Sequence, residues 1–179
     1  MSKLLIKPAA TSQVHQVTPQ SAGWSYVGFA VHDLAGGETL QCQQAGRELC
    51  IVILTGTANI SVGLQSWTDV GGRDSVFVDQ PPGAVYVPAG KAVSIVALDS
   101  IEVAVCSAPG HGNSGSARLI DVATMSQEVR GKDTNTRYVR NILPETEAAD
   151  GLLVVEVITP SGHWSSYPPH KHDRDASPE

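Results

Sequence analysis

Aromatic side chains are scarce: Phe, Tyr and Trp together make up 5% of the 179 residues. Much of the apolar content falls on β-branched Val and Ile, which favours sheet over helix. Basic residues are in deficit too, 12 Lys and Arg against 18 Asp and Glu. A formal charge of −6 argues against a nucleic-acid partner, which would want a basic face. No run of like charge is long enough to act as an interaction tail. The three cysteines, Cys42, Cys50 and Cys106, are odd in number and irregular in spacing. They define neither a disulfide framework nor a CxxC zinc knuckle, and read as small buried hydrophobes in a reducing cytoplasm. Long hydrophobic runs are missing as well. Leu4-Leu5-Ile6 gives way at once to Lys7-Pro8, too short for a signal core or a membrane span. The expectation is a cytoplasmic protein with no nucleic-acid and no membrane partner.

Turn chemistry is what the sequence has in quantity, with 17 glycines and 11 prolines. From Trp24 to Ser107, short apolar stretches are separated by turn residues: GG (36–37 and 71–72), QPPG (80–83) and PAGK (88–91). WSYVGFAVHDL (24–34) alternates like a strand. ELCIVILTG (48–56) is almost continuously apolar, the pattern of a strand buried on both faces. Further strands are expected at 57–62, 75–79, 84–88, 92–98 and 101–107, with Leu98 to Ile101 forming a tight hairpin. No helical stripe of useful length interrupts them. Many short strands at close spacing indicate an all-β fold, an antiparallel sandwich or barrel.

The composition changes at APGHGNSGSA (108–117), a Gly- and Ser-rich boundary in which His111 reads as a solvated loop side chain. A first block therefore spans residues 1–110, and residues 111–179 hold a linker and the start of a second block. Within the latter, 117–131 has room for a short helix capped by Asp121 or Thr124. TRYVRNIL (136–143) and LLVVEVITP (152–160) read as strands, the second one buried.

The chemistry-bearing stretch is SSYPPHKHDRD (165–175). Alternation on a strand points His170 and His172 the same way and Lys171 and Asp173 the other. Two neutral imidazoles at this spacing can share one transition metal, and Pro168-Pro169 stiffens their approach. Taken alone, the pair is a weak signal that fits a polar terminus with two solvated histidines better than a metal site.

TRYVRNILPE (136–145) followed by PSGHWSSYPPHKHD (160–173) resembles the 5-deoxy-glucuronate isomerases of inositol breakdown, two-cupin proteins related to the 5-keto-4-deoxyuronate isomerases. The resemblance is strongest over 131–175. It implies a cupin fold, an antiparallel β-sandwich or jelly-roll barrel, in a bicupin whose second barrel is incomplete here. It implies a divalent transition metal (Zn, Mn, Fe or Ni) in the second cupin, held by the histidine pair, a glutamate and a later histidine. His170 and His172 match the pair. The other ligands are expected beyond Glu179, which itself follows His172 too closely to match. The implied substrate is a small-molecule sugar acid, with Arg137, Tyr167 and Lys171, together with Arg140, as candidate contacts to its carboxylate and hydroxyls. The catalytic base stays unassigned, and homo-oligomerisation stays open.

Tested for its own metal site by cupin logic, the first block reads QCQQ (41–44) where a histidine pair would stand and Val93 where the later histidine would stand. Amides are poor ligands and valine is none. That cupin is expected to be metal-free and structural, with Glu48 a partner of Arg47 or a strand-end residue. Ser165 and Ser166 lack a nucleophile elbow, and no glycine loop cradles phosphate.

Two functions follow. One is metal-assisted isomerisation of 5-deoxy-glucuronate to 2-deoxy-5-keto-gluconate, impaired in a chain that stops inside its second barrel. The other is a non-catalytic cupin module that binds a sugar or a partner subunit. The reading frame after Glu179 separates them.

Overall fold

The computed structural model describes residues 5–166, of which strand takes 49% and helix 6%. The first block holds β1 (Gln13–Val17), the one-turn helix α1 (Pro19–Ala22), β2 (Gly28–Leu34), β3 (Thr39–Cys42) and β4 (Arg47–Val62). It continues through β5 (Gln65–Arg73), β6 (Gly83–Val87), β7 (Val93–Ala97) and β8 (Ile101–Pro109), and β9 (Arg118–Ile120), from beyond the expected boundary at 110, joins its sheet on β6. After it come β10 (Gln127–Arg130), β11 (Arg137–Leu143) and β12 (Val154–Ile158). All of their pairings are antiparallel.

Strand β4 organises the molecule because its 16 residues belong to two sheets. Its first half lies between β8 and β6, in the order β1-β2-β8-β4-β6-β9. Its second half lies between β7 and β5, with β3 beyond β7. The separate strands expected at 48–56 and 57–62 are thus one bent strand. The bend falls at Gly56, whose φ of 75° is left-handed. A Cβ there would strike the Ser100 carbonyl oxygen and the Asp99 carboxylate, which accepts the Thr57 N–H at 2.8 Å. Only glycine meets both demands at that point.

Alternation then assigns the layers. Leu49, Ile51 and Ile53 face the sandwich interior with Val85, Val87, Val103, Val105, Ile60 and Ile95, all at most 3% exposed. Cys50 and Val52 face the other way, with Ala84, Tyr86 and Ala104, onto Ile142, Leu143, Leu152 and Val154 of the region around the third sheet, β10-β11-β12. Both faces of β4 are covered, as its apolar run predicts. The three cysteines are free thiols, Cys50 buried and Cys42 and Cys106 half-buried. Burial raises the pKa of all three.

Four details differ from expectation. Residues 75–79 are a loop, because the buried Arg73 side chain bonds both Leu54 O and Gln80 O and curls the chain between them, leaving Phe77 exposed. The link at 98–100 is not a hairpin: β7 pairs with β3 and β4 while β8 pairs with β2 and β4, so the chain crosses from one sheet to the other. The helix sought in 117–131 shrinks to a 3₁₀ turn at Val122–Thr124, capped by Asp121. Strand β12 is buried on one face only, with Val155 and Val157 exposed.

Because Gly56 combines a positive φ with contact to backbone, Gly56→Ala is expected to lower the unfolding free energy by about 2–4 kcal/mol. Urea unfolding checks this: the midpoint falls while the slope is kept. An unchanged midpoint contradicts the role given to this bend.

Candidate functional site

The motif that drew attention begins where the third sheet ends. Strand β11 pairs with β12 in the register Tyr138↔Ile158 and Arg140↔Glu156. Beyond β12 the chain turns at Pro160–His163, where His163 N bonds Pro160 O at 3.0 Å. It then docks on the segment before β11: Trp164 N donates to Thr134 O at 2.8 Å, and His163 Nδ1 lies 2.8 Å from Thr136 O. The chain just ahead of the histidine motif is thereby tied to the segment before β11 by one main-chain and one side-chain bond. Tyr167, His170, Lys171, His172 and Glu179 lie outside the described residues. Arg137, at the start of β11, bonds the carbonyl and side-chain oxygens of Asn135 at 3.1 and 3.4 Å, which holds its guanidinium within its own turn.

Arg140 is not available to a substrate carboxylate in the way expected. It is committed to an ionic cluster in which Glu156 accepts from Arg73 Nη2 at 2.6 Å and Nη1 at 3.1 Å, and from Arg140 Nη1 at 2.8 Å. Arg73 is 1% exposed and Arg140 8%. The exposed Asp79 completes the cluster on Arg140 Nη2 at 3.1 Å. It borders a cleft of about 380 Å³ between the 77–79 loop and the inner face of the third sheet, walled by Phe77, Tyr138, Arg140, Glu156 and Ile158. Sequence reading missed this cluster, although a lone glutamate within LLVVEVITP was its signal. A carboxylate on a mostly apolar strand calls for a cation or a set of hydrogen-bond donors to meet it.

Glu48 stands near the start of β4, as one of its two expected readings had it, but the other fails. It does not pair with Arg47, since neighbours on a strand point to opposite faces. It is fully buried on the face shared with Cys50 and Val52, turned away from the barrel interior. Its Oε1 accepts from Gly151 N at 2.7 Å and Leu152 N at 2.6 Å, and its Oε2 from Asp150 N at 2.8 Å and Tyr86 Oη at 2.5 Å. The turn leading into β12 is therefore wrapped around a carboxylate of the first block. Asp150 returns the gesture. Its Oδ2 accepts from His111 N at 2.5 Å and Gly112 N at 2.8 Å, gathering the Gly-rich boundary onto the same point. Burial opposes ionisation of Asp150, but the Gly112 and His111 N–H groups outweigh it and hold its pKa down. Tyr86 is pushed up by burial first and then by its bond to Glu48, and its hydroxyl also meets Ser114 Oγ. The Arg118 guanidinium covers its ring at 4.5 Å.

In the first block, Gln41 Nε2 donates to Ser94 Oγ at 2.7 Å and Gln43 Nε2 to Gly90 O at 3.1 Å. Val93 is packed in the core. No group of three or more His, Cys, Asp or Glu among the described residues is arranged to hold a metal ion.

Comparison with known proteins adds what the geometry leaves open. The family model described as KduI/IolB matches residues 4–179. A 5-deoxy-glucuronate isomerase of Geobacillus kaustophilus is 50% identical over 181 residues, covering 99% of this chain and 65% of its own length. One from Halalkalibacterium halodurans is 42% identical over 186 residues, covering 100% of this chain and 68% of its own length. Among solved structures, an IolB-like protein of Salmonella typhimurium LT2 superposes with a TM-score of 0.87 at 39% identity, over 91% of this chain and 62% of that one. The chain thus spans about two thirds of the length of the relatives it matches, 65% and 66% for two Geobacillus proteins.

Two substitutions probe the buried carboxylates. Glu48→Ala orphans three backbone N–H groups and is expected to cost about 3–5 kcal/mol, read as a fall in urea midpoint. Glu156→Gln leaves buried Arg73 without its counter-charge and is expected to cost a similar amount, about 3–5 kcal/mol. Either variant within 1 kcal/mol of the parent, on the order of a surface change, contradicts the burial assigned to that carboxylate.

Proposed function

Because the chain belongs to the KduI/IolB family, we propose that it serves the isomerisation of 5-deoxy-glucuronate to 2-deoxy-5-keto-gluconate, with the active centre built around His170 and His172. The observation that carries this reading is the 50% identity, over 99% of the chain, to a protein named for that activity. The third sheet is, on this reading, the start of a second cupin barrel. Its outward face carries Leu153, Val155 and Val157, apolar and 58%, 47% and 41% exposed, the kind of surface a barrel turns inward. The additional length of the relatives is what would close over it. The first barrel, with Gln41, Gln43 and Val93 at the ligand positions, is a support rather than a metal centre.

The donor chemistry fits a divalent transition metal, since two imidazoles spaced by one residue present nitrogen donors side by side. When bound, such a metal would polarise the substrate's carbonyl oxygen as a Lewis acid. The chain's own contribution is placement. Glu48 fixes the turn entering β12, and His163 with Trp164 fixes the turn leaving it. Tyr167 and Lys171 are proposed to meet the sugar acid's hydroxyls and carboxylate. A cytoplasmic setting belongs to the same proposal. Among the described residues no helix is long and apolar enough to cross a membrane.

The test compares this chain with a form extended by the C-terminal length of its relatives. Each is assayed on 5-deoxy-glucuronate and its metal measured by elemental analysis. His170→Ala and His172→Ala in the extended form are expected to lower both metal content and kcat by at least about a hundredfold, since even groups outside the ligand set cost 10–100-fold. Wild-type turnover and metal in both variants would sink the assignment. An extended form that binds metal and uronate but does not isomerise it would favour a binding module.

A further inference from the structure

A second cleft lies at the mouth of the first barrel, and its chemistry is unlike that of a structural lid. Arg47 opens β4 on the register that carries Leu49, Ile51 and Ile53 into the barrel. Its Nη2 donates to Tyr26 O at 2.6 Å, Ser107 O at 3.0 Å and Ser107 Oγ at 3.2 Å, and its Nε to Ser107 Oγ at 3.2 Å. Every one of these acceptors is neutral. Among the described residues Arg47 has no carboxylate partner, and its Nη1 donates to none of them. Arg73 and Arg140, by contrast, are both ion-paired, with Glu156 and, for Arg140, Asp79 as well. A half-buried guanidinium held only by dipoles keeps a charge to be met from outside.

The cleft it lines measures about 310 Å³, and Gln16, Gln20 and Gln44 line it as well. None of these three side-chain amides bonds another described residue, whereas Gln41 and Gln43 in the same barrel are both tied down. Each amide offers two donors and an acceptor, which suits a hydroxyl acting in either sense. Phe29 adds an apolar wall for the C–H face of a ligand. One uncompensated cation suits a monoanion; a phosphate dianion would leave charge unmet, and a neutral sugar would leave the guanidinium unmet. The volume is at the small end of ligand sites, about 300–1,000 Å³, room for a six-carbon acid and not for a nucleotide.

We propose that the mouth of the first barrel binds a small hydroxylated monocarboxylate, with Arg47 on the carboxylate and Gln16, Gln20 and Gln44 on the hydroxyls. This assignment rests on Arg47 and the residues around it alone and draws on neither His170 nor His172.

The experiment uses the 179-residue chain carrying His170→Ala and His172→Ala, so that binding at the histidine pair cannot contribute. The ¹⁵N-labelled protein is titrated with D-glucuronate, D-glucose and inorganic phosphate in parallel. Saturable glucuronate shifts are expected at the Gly28 amide and the side-chain amides of Gln16, Gln20 and Gln44, with glucose and phosphate at least about tenfold weaker, the factor that 1.4 kcal/mol represents. Arg47→Met should abolish the response. Since Arg47 also pins Tyr26, the paired variant Gln20→Leu/Gln44→Leu serves as the control that keeps the fold; it should weaken glucuronate about tenfold with an otherwise unchanged spectrum. Absent shifts, shifts that map elsewhere, an unaltered response in the paired variant, or phosphate binding as well as glucuronate would each overturn the proposal.

Discussion

The Glu48 carboxylate sits at full burial with four hydrogen bonds, three of them from the backbone of Asp150, Gly151 and Leu152. A charge in that position is tolerated only because every lone-pair direction it uses is met by a donor. The consequence reaches past stability. Residues 150–152 are the entry to β12, and β12 leads to the histidine motif. A residue of the first block therefore sets where the chain of the second one starts. The His111 and Gly112 N–H groups donate in turn to Asp150 and gather the Gly-rich boundary to the same place, so what reads as a linker is anchored at that point. The Arg73–Glu156–Arg140 cluster ties the layers again further along, with Arg73 reaching from the first block to Glu156 of the third sheet, where Arg140 on the neighbouring strand shares it.

Much of the fold is legible in the sequence because apolar strands are. ELCIVIL announces a strand buried on both faces, and TRYVRNIL a strand that β11 occupies. Polar edge strands are not legible in the same way. QVHQV of β1 and QSWTDVGGR of β5 carry too little apolar content to stand out, yet backbone pairing with β2 and β4 holds them. SVFVD fails in the opposite sense. It has the composition of a strand, but Arg73 captures the carbonyl of Gln80 and closes it into a loop. A hydrophobic pattern reports burial, whereas pairing also depends on where a long-range partner lies.

The candidate site divides along the same line. His170 and His172 stand out by their spacing and by the motif around them, and it is on that ground alone that they are proposed as a metal pair. Glu48 was visible as an oddity, but its direction was not. On a strand buried on both faces, apolar alternation carries no information about which residues point inward, so parity could not say whether Glu48 faced the barrel or left it. Arg47 was paired with it by adjacency, where strand geometry sends the two apart. The guanidinium then meets Ser107 and Tyr26 inside the mouth of the barrel, and the carboxylate meets the turn outside.

Hydrogen exchange followed by NMR tests this arrangement most directly, through the amides of Asp150, Gly151 and Leu152. They belong to no strand, and an unanchored turn between β11 and β12 would exchange them as freely as any exposed loop. Bonded to a buried carboxylate, they are predicted to show protection comparable to that of the central amides of β4 and β8, and to lose it selectively in Glu48→Gln while those strands keep theirs. Free exchange of the three amides in the wild-type chain would contradict the claim that the first block's glutamate places the strand leading to the histidine pair.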